Sequence, residues 1–170
     1  MAQTLFAVIT EPFGYINRFC PKRDKTHGII GLCIAGLSLI QYGDINIAIY
    51  LTILTVICLA LISFFYALII DFFAQIFGAN GKSLALFTGI NLTLIAFGLF
   101  PLTLPIKVLA GATLAGFAKV GIVVFIICWH YQLIRRLYGL TPLKTGLVLA
   151  APWGLNVAFV VLVFVISMFG

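Results

Sequence analysis

Acidic residues are the scarcest class in this chain: 4 Asp and Glu in 170 residues, against 10 Lys and Arg. All charged residues together reach 8%, where a soluble domain carries about 25%. So little charge cannot coat a water-facing surface. The apolar share is 64%, and a soluble fold near 150 residues still leaves about a third of its chain surface in water. These shortages exclude an ordinary soluble domain and imply an integral membrane protein.

Other absences narrow the chemistry. The four cysteines form no Cys-x-x-Cys pair and no Cys/His ligand set, which argues against a zinc site. Cys33, Cys58 and Cys128 lie inside apolar runs and read as small apolar packers. No cysteine pair falls in an expected outer loop, so no disulfide framework is expected. Met1–Thr10 carries no basic residue and only a short apolar stretch, unlike a secretory signal. The surplus of base gives a net charge of +6. It is scattered between apolar runs, which fits membrane orientation better than nucleic-acid binding.

What is present is a series of apolar runs. A spanning helix needs about 20 such residues. Five candidates are present, at 28–42, 46–77, 83–100, 117–134 and 145–169; the first is slightly short, which puts His27 and Tyr42 at the two interfaces, and the second is long enough to tilt. Pro101 and Pro105 are expected to end or kink the third, leaving 101–116 as a kinked, interfacial or re-entrant piece before the fourth, or as an extension of the third. Leu5, Ile9, Phe13 and Ile16 recur at helical spacing in an interfacial amino-terminal segment, where Pro12 and Gly14 should break any single helix. The fold class is therefore all-α: a bundle of five transmembrane helices over 28–170, preceded by a cytoplasmic or interfacial segment over 1–27. Gly31/Ala35 and Ala112/Gly116 are small-residue steps that suit helix contacts.

Orientation follows from counting bases. With the amino terminus in the cytoplasm, Arg18, Lys22, Arg23, Lys25, Lys82, Arg135, Arg136 and Lys144 fall inside, and Lys107 and Lys119 outside. The positive-inside rule selects this topology. It places the carboxyl terminus outside and the protein in the cytoplasmic (inner) membrane.

Two blocks carry a family resemblance. The first is Gly78-Ala79-Asn80-Gly81-Lys82-Ser83, followed by an apolar helix that ends at Pro101. The second is Trp129, Leu133, Leu137, then Tyr138-Gly139-Leu140-Thr141-Pro142-Leu143-Lys144, with Pro152 early in the last helix. Over Asp71 to Trp153 the chain resembles the Yip (Ypt-interacting protein) family of small five-span membrane proteins. The resemblance implies a cytoplasmic amino terminus and an adaptor-like role. The short amino-terminal segment is similar to that of prokaryotic members, some of which accompany transport systems. It supplies no catalytic motif.

Ionisable groups within spans are costly and default to functional hypotheses. Asp71 reads as a proton or cation site, as an ion pair with Lys82, Arg135 or Arg136, or as an interfacial carboxylate. His130 is a titratable candidate or a hydrogen-bonded interfacial histidine. Asn91 and Asn156 should hydrogen-bond between helices, with substrate binding as the alternative. Lys82, Arg135, Arg136 and Lys144 are candidate contacts for lipid headgroups or a partner. No serine has an evident base at matching depth, no second carboxylate lies in a span, and no residue set calls for a cofactor. The expected function is a non-enzymatic scaffold or accessory subunit of a membrane complex, with a homo-oligomer or a membrane protein such as a transporter as partner. A small transporter, channel or lipid translocator is the alternative.

Overall fold

The computed structural model describes residues 11–20, 24–39 and 45–169. Every regular element among them is helical: α1 (Pro12–Arg18), α2 (Lys25–Leu39), α3 (Ile45–Ile76), α4 (Ser83–Thr93), a 3₁₀ stretch (Leu94–Leu102), α5 (Thr103–Ala110), α6 (Ala112–Tyr138) and α7 (Pro142–Phe169). Three helical paths are long and apolar enough to cross a membrane: Ile47–Ile76, Ser83–Ala110 and Ala112–Tyr138. Helix α2 has 15 residues, about 22 Å at 1.5 Å per residue, which is short of a full hydrocarbon core. Helix α7 coincides with the expected last span, but its side chains at 156 and from 158 onward lie outside the described residues.

Helix α4 is the axis of the bundle. It touches α2, α3 and α6, and α2 also runs along the 3₁₀ stretch. Every residue from Gly89 to Ala96 is buried. The contact with α2 depends on small residues, because lipid supplies no hydrophobic drive between helices and close approach must do the work. A Cβ at Gly31 would lie 2.0 Å from the Asn91 carbonyl oxygen, and Ala35, one turn on, is fully buried. The second small-residue step makes no such contact: Ala112 and Gly116 are exposed, and nothing lies within 4 Å of a Cβ at Gly116.

Of the courses expected for the third path, extension is the one observed. Pro101 neither ends it nor detaches a separate piece. The chain tightens to 3₁₀ winding at Leu94, passes Pro101, and continues as α5 to Ala110. In a 3₁₀ turn residues i and i+3 eclipse, and Phe97 and Phe100 stack at 5.0 Å between ring centroids. Thr93 and Thr103 flank the stretch, each donating its hydroxyl at 2.7 Å to a carbonyl three residues back, Ile90 and Phe100. Pro105 falls in the first turn of α5, where its fixed φ is compatible with helical winding. The break comes at Gly111, whose φ of +89° is open to glycine and strained for other residues. Residues 101–110 thus extend the third helix, and 112–116 begin the fourth.

In the amino-terminal segment Pro12 starts α1, since proline's fixed φ suits a first helical turn, and Gly14 lies inside that helix rather than breaking it. Tyr15 and Ile16 are buried against Ile126 and Trp129 of α6 and Leu92, Ile95 and Ala96 of the central path. The Phe13 ring meets Phe125 edge-on at 5.7 Å. This part of the segment docks on the bundle; Leu5 and Ile9 lie outside the described residues. Cys33, Cys58 and Cys128 are exposed on the outer helix faces, so they are not the internal packers expected of them.

Candidate functional site: a polar clamp around Asp71

The clamp is built by two helix endings. Helix α3 stops in a Schellman turn: the Ala79 N–H donates to Ala74 O at 3.1 Å and the Gly78 N–H to Gln75 O at 2.8 Å, with Gly78 at φ +87°. This is the geometry in which glycine satisfies the orphan carbonyls of a helix end. Helix α6 stops at Gly139, also left-handed, at φ +65°. The two turns bring the loop at 78–82 beside Tyr138.

Asp71 sits between them, one and a half turns inside α3, and is 6% exposed. Its Oδ1 accepts the Lys82 backbone N–H at 2.6 Å and the Tyr138 hydroxyl. Its Oδ2 accepts the Gln75 side-chain amide at 2.8 Å. The Lys82 N–H opens α4, so the carboxylate also faces the positive end of that helix. Three donors compensate for the burial of a carboxylate that would otherwise be strongly disfavoured. The loop can pass this close because of Gly81: a Cβ there would stand 3.0 Å from Gln75 Nε2 and 3.3 Å from Asp71 Oδ2.

The basic candidates divide. Lys82 meets Asp71 through its backbone, not its ammonium. Its Nζ instead donates to Leu137 O at 2.6 Å, satisfying a carbonyl of the last turn of α6. The Lys144 ammonium lies 5.8 Å from the centre of the Phe77 ring, within cation–π range. Arg135 and Arg136 are exposed on the last turn of α6 and do not reach Asp71. The carboxylate is therefore neither solvated at an interface nor ion-paired to a side chain.

A second polar contact lies deeper, eight residues along α6 from Tyr138, or about 12 Å. His130 Nε2 is 2.6 Å from Thr93 Oγ1, and both residues are buried. With the Thr93 proton given to Ile90 O, the Nε2–H tautomer donates to Thr93. Tyr66 stands beside the imidazole at 5.7 Å between ring centroids. His130, Tyr66, Ser63 and Trp153 share the wall of a groove of about 280 Å³ among the helices.

Asn91 is 3% exposed, but its Oδ1 has no hydrogen-bond partner. The interhelical bond expected of that oxygen is absent; its backbone, against Gly31, makes the contact. Asn156 lies on α7 with its side chain outside the described residues.

Sequence reasoning missed Tyr138 and Gln75. Gln75 was discoverable, because it is one helical turn from Asp71 and such pairs share a face. Tyr138 stood within the second block of the family resemblance, 67 residues from Asp71, with nothing local to pair the two. Among the described residues no three His, Cys, Asp or Glu side chains group as a metal site.

The apolar helix faces, with Leu109 86% and Tyr50 77% exposed, define a membrane-embedded helical bundle. No family model, curated protein or solved structure matches the chain.

Proposed function

We propose that the protein is a five-span scaffold or accessory subunit of a membrane complex, a short Yip-like protein with its amino terminus in the cytoplasm and its carboxyl terminus outside. It works by association and performs no chemistry of its own. One observation carries this reading: both oxygens of the buried carboxylate are committed to structural donors on α3, α6 and the loop before α4. A carboxylate that shuttles protons or cations needs a face open to its cargo, whereas this one ties helix ends together. Rigid ends and apolar flanks suit a protein that presents a fixed surface to a neighbour in the bilayer.

Gentle extraction and affinity purification from the native membrane is the test. A homo-oligomer or a defined membrane partner in fixed proportion is the expected result. A strictly monomeric protein that moves a solute or lipid by itself in liposomes would overturn it.

One observation favours the transport alternative. His130, Tyr66 and Ser63 place polar groups along a groove walled mostly by apolar residues, and intramembrane ionisable groups often mark a path. His130→Ala that abolishes flux in a liposome assay would support that reading.

A further inference from the structure

The end of the bundle that carries Lys82, Tyr138 and Lys144 also holds an open cleft of about 580 Å³ between α1 and the last turns of α6. Ile16 and Leu140 give it apolar edges; Gln132, Arg135 and Arg136 give it donors. The Tyr131 hydroxyl donates to Pro142 O at 3.2 Å, which fixes that ring as one wall.

Charge accounting makes this cleft unusual. The chain has 4 carboxylate side chains. Asp71 is taken up by the clamp. Asp24 is fully buried, accepts the Cys20 N–H and lies 3.5 Å from His27. Glu11 precedes α1, and Asp44 lies outside the described residues. Among the described residues no carboxylate forms an ion pair with Arg135 or Arg136. Lys82 and Lys144, at the same end, are engaged, Lys82 with Leu137 O and Lys144 with the Phe77 ring. Two adjacent guanidiniums therefore line a cleft for which the described chain provides no counter-anion, and guanidinium geometry matches phosphate oxygens in pairs.

We infer that this cleft binds the phosphate of an anionic phospholipid headgroup, held by Arg135 and Arg136 with Gln132 as an additional donor. A lipid is the source that fits. The cleft opens at the end of a helix long enough to span, and its apolar edges continue into the docked α1, where acyl chains would follow. The inference rests on the membrane placement of the bundle and is independent of which protein partner it serves.

The protein is reconstituted in nanodiscs of equal phosphatidylcholine and phosphatidylglycerol, and co-released lipid is weighed by native mass spectrometry. The parent is expected to retain phosphatidylglycerol over phosphatidylcholine. Arg135→Gln/Arg136→Gln should lose about tenfold or more of that preference, from the worth of two bases near an anionic headgroup. Lys144→Gln should keep it. The single substitutions Arg135→Gln and Arg136→Gln, each on an exposed side chain, should lose an intermediate share and guard against a double variant that does not fold. Equal retention of both lipids by the parent, or full preference in the double variant, would overturn the inference. Displacement of the lipid by added inorganic phosphate, with phosphate bound in its place, would also overturn it, by assigning the cleft to a soluble anion. None of these outcomes depends on recovering a protein partner, so this inference and the accessory role fail separately.

Discussion

The Tyr138 hydroxyl donates to Asp71 Oδ1 across 67 residues of chain, joining the last turn of α6 to the end of α3. The same oxygen holds the N–H that opens α4. One carboxylate thus sets the relative height of three helices.

Removing that carboxylate leaves three donors without an acceptor. Asp71→Ala should lower stability by about 3 kcal/mol or more, since a bond to a charged group is worth about 1.5–3 kcal/mol. Tyr138→Phe should cost about 2 kcal/mol on the same scale. Melting in detergent reads both, and the double variant should cost less than the sum, as for residues in direct contact. Lys82→Gln should not rescue Asp71→Asn, because the ammonium bonds to Leu137 O and not to the carboxylate. A rescue by Lys82→Gln would show an ion pair after all.

Gly31 should tolerate no side chain. A Cβ there would stand 2.0 Å from a backbone oxygen of α4, and backbone cannot swing aside as a flexible side chain can. Gly31→Ala should cost about 3 kcal/mol, at the upper end of overpacking penalties. Gly121→Ala is the control: nothing lies within 4 Å of its Cβ position, and its thermal midpoint should match or exceed the parent's.

Asn91 should be replaceable. Its buried Oδ1 has no partner, and an unsatisfied buried polar atom costs about 1–3 kcal/mol. Asn91→Leu should melt at or above the parent temperature. A clear drop in midpoint would show that the amide is satisfied in the membrane.

Topology is open to direct mapping. Reporter fusions in the 78–82 loop should give a cytoplasmic signal and fusions at Gly170 an external one, because the proposed five-span topology puts eight of the ten basic residues on the cytoplasmic side. A cytoplasmic signal at Gly170 would contradict the proposed five spans.

Much of this architecture was legible in the chain. Long apolar runs mark α3, the third path and α6, since only helices satisfy their own backbone in lipid. Gly31 and Ala35, one turn apart, marked a real helix contact. Ala112 and Gly116 have the same spacing and mark none, because spacing shows that a close approach is allowed but does not supply the partner. Pro101 left the course of the third helix open for a related reason: proline removes a donor and clashes in an α-helix, but 3₁₀ winding before it changes which carbonyl it faces. Asp71 was visible as an anomaly, and Gln75 lies one turn from it, but the other two partners were hidden. These are a backbone N–H and a tyrosine brought in by helix endings, and no local pattern encodes that meeting.

The 3₁₀ stretch has a consequence for how the far end of the third helix is oriented. Its nine residues make about three turns at 3.0 residues per turn, where α winding would make about two and a half. It also rises about 2.0 Å per residue in place of 1.5 Å, adding roughly 4.5 Å of length. Thus α5 is rotated about half a turn and pushed further along the axis than a uniform helix from Ser83 would place it. A helical wheel drawn through from Ser83 assigns Lys107 and its neighbours to the opposite side of the rod. Any cross-linking or labelling design for residues 103–110 has to restart its angular count at Thr103.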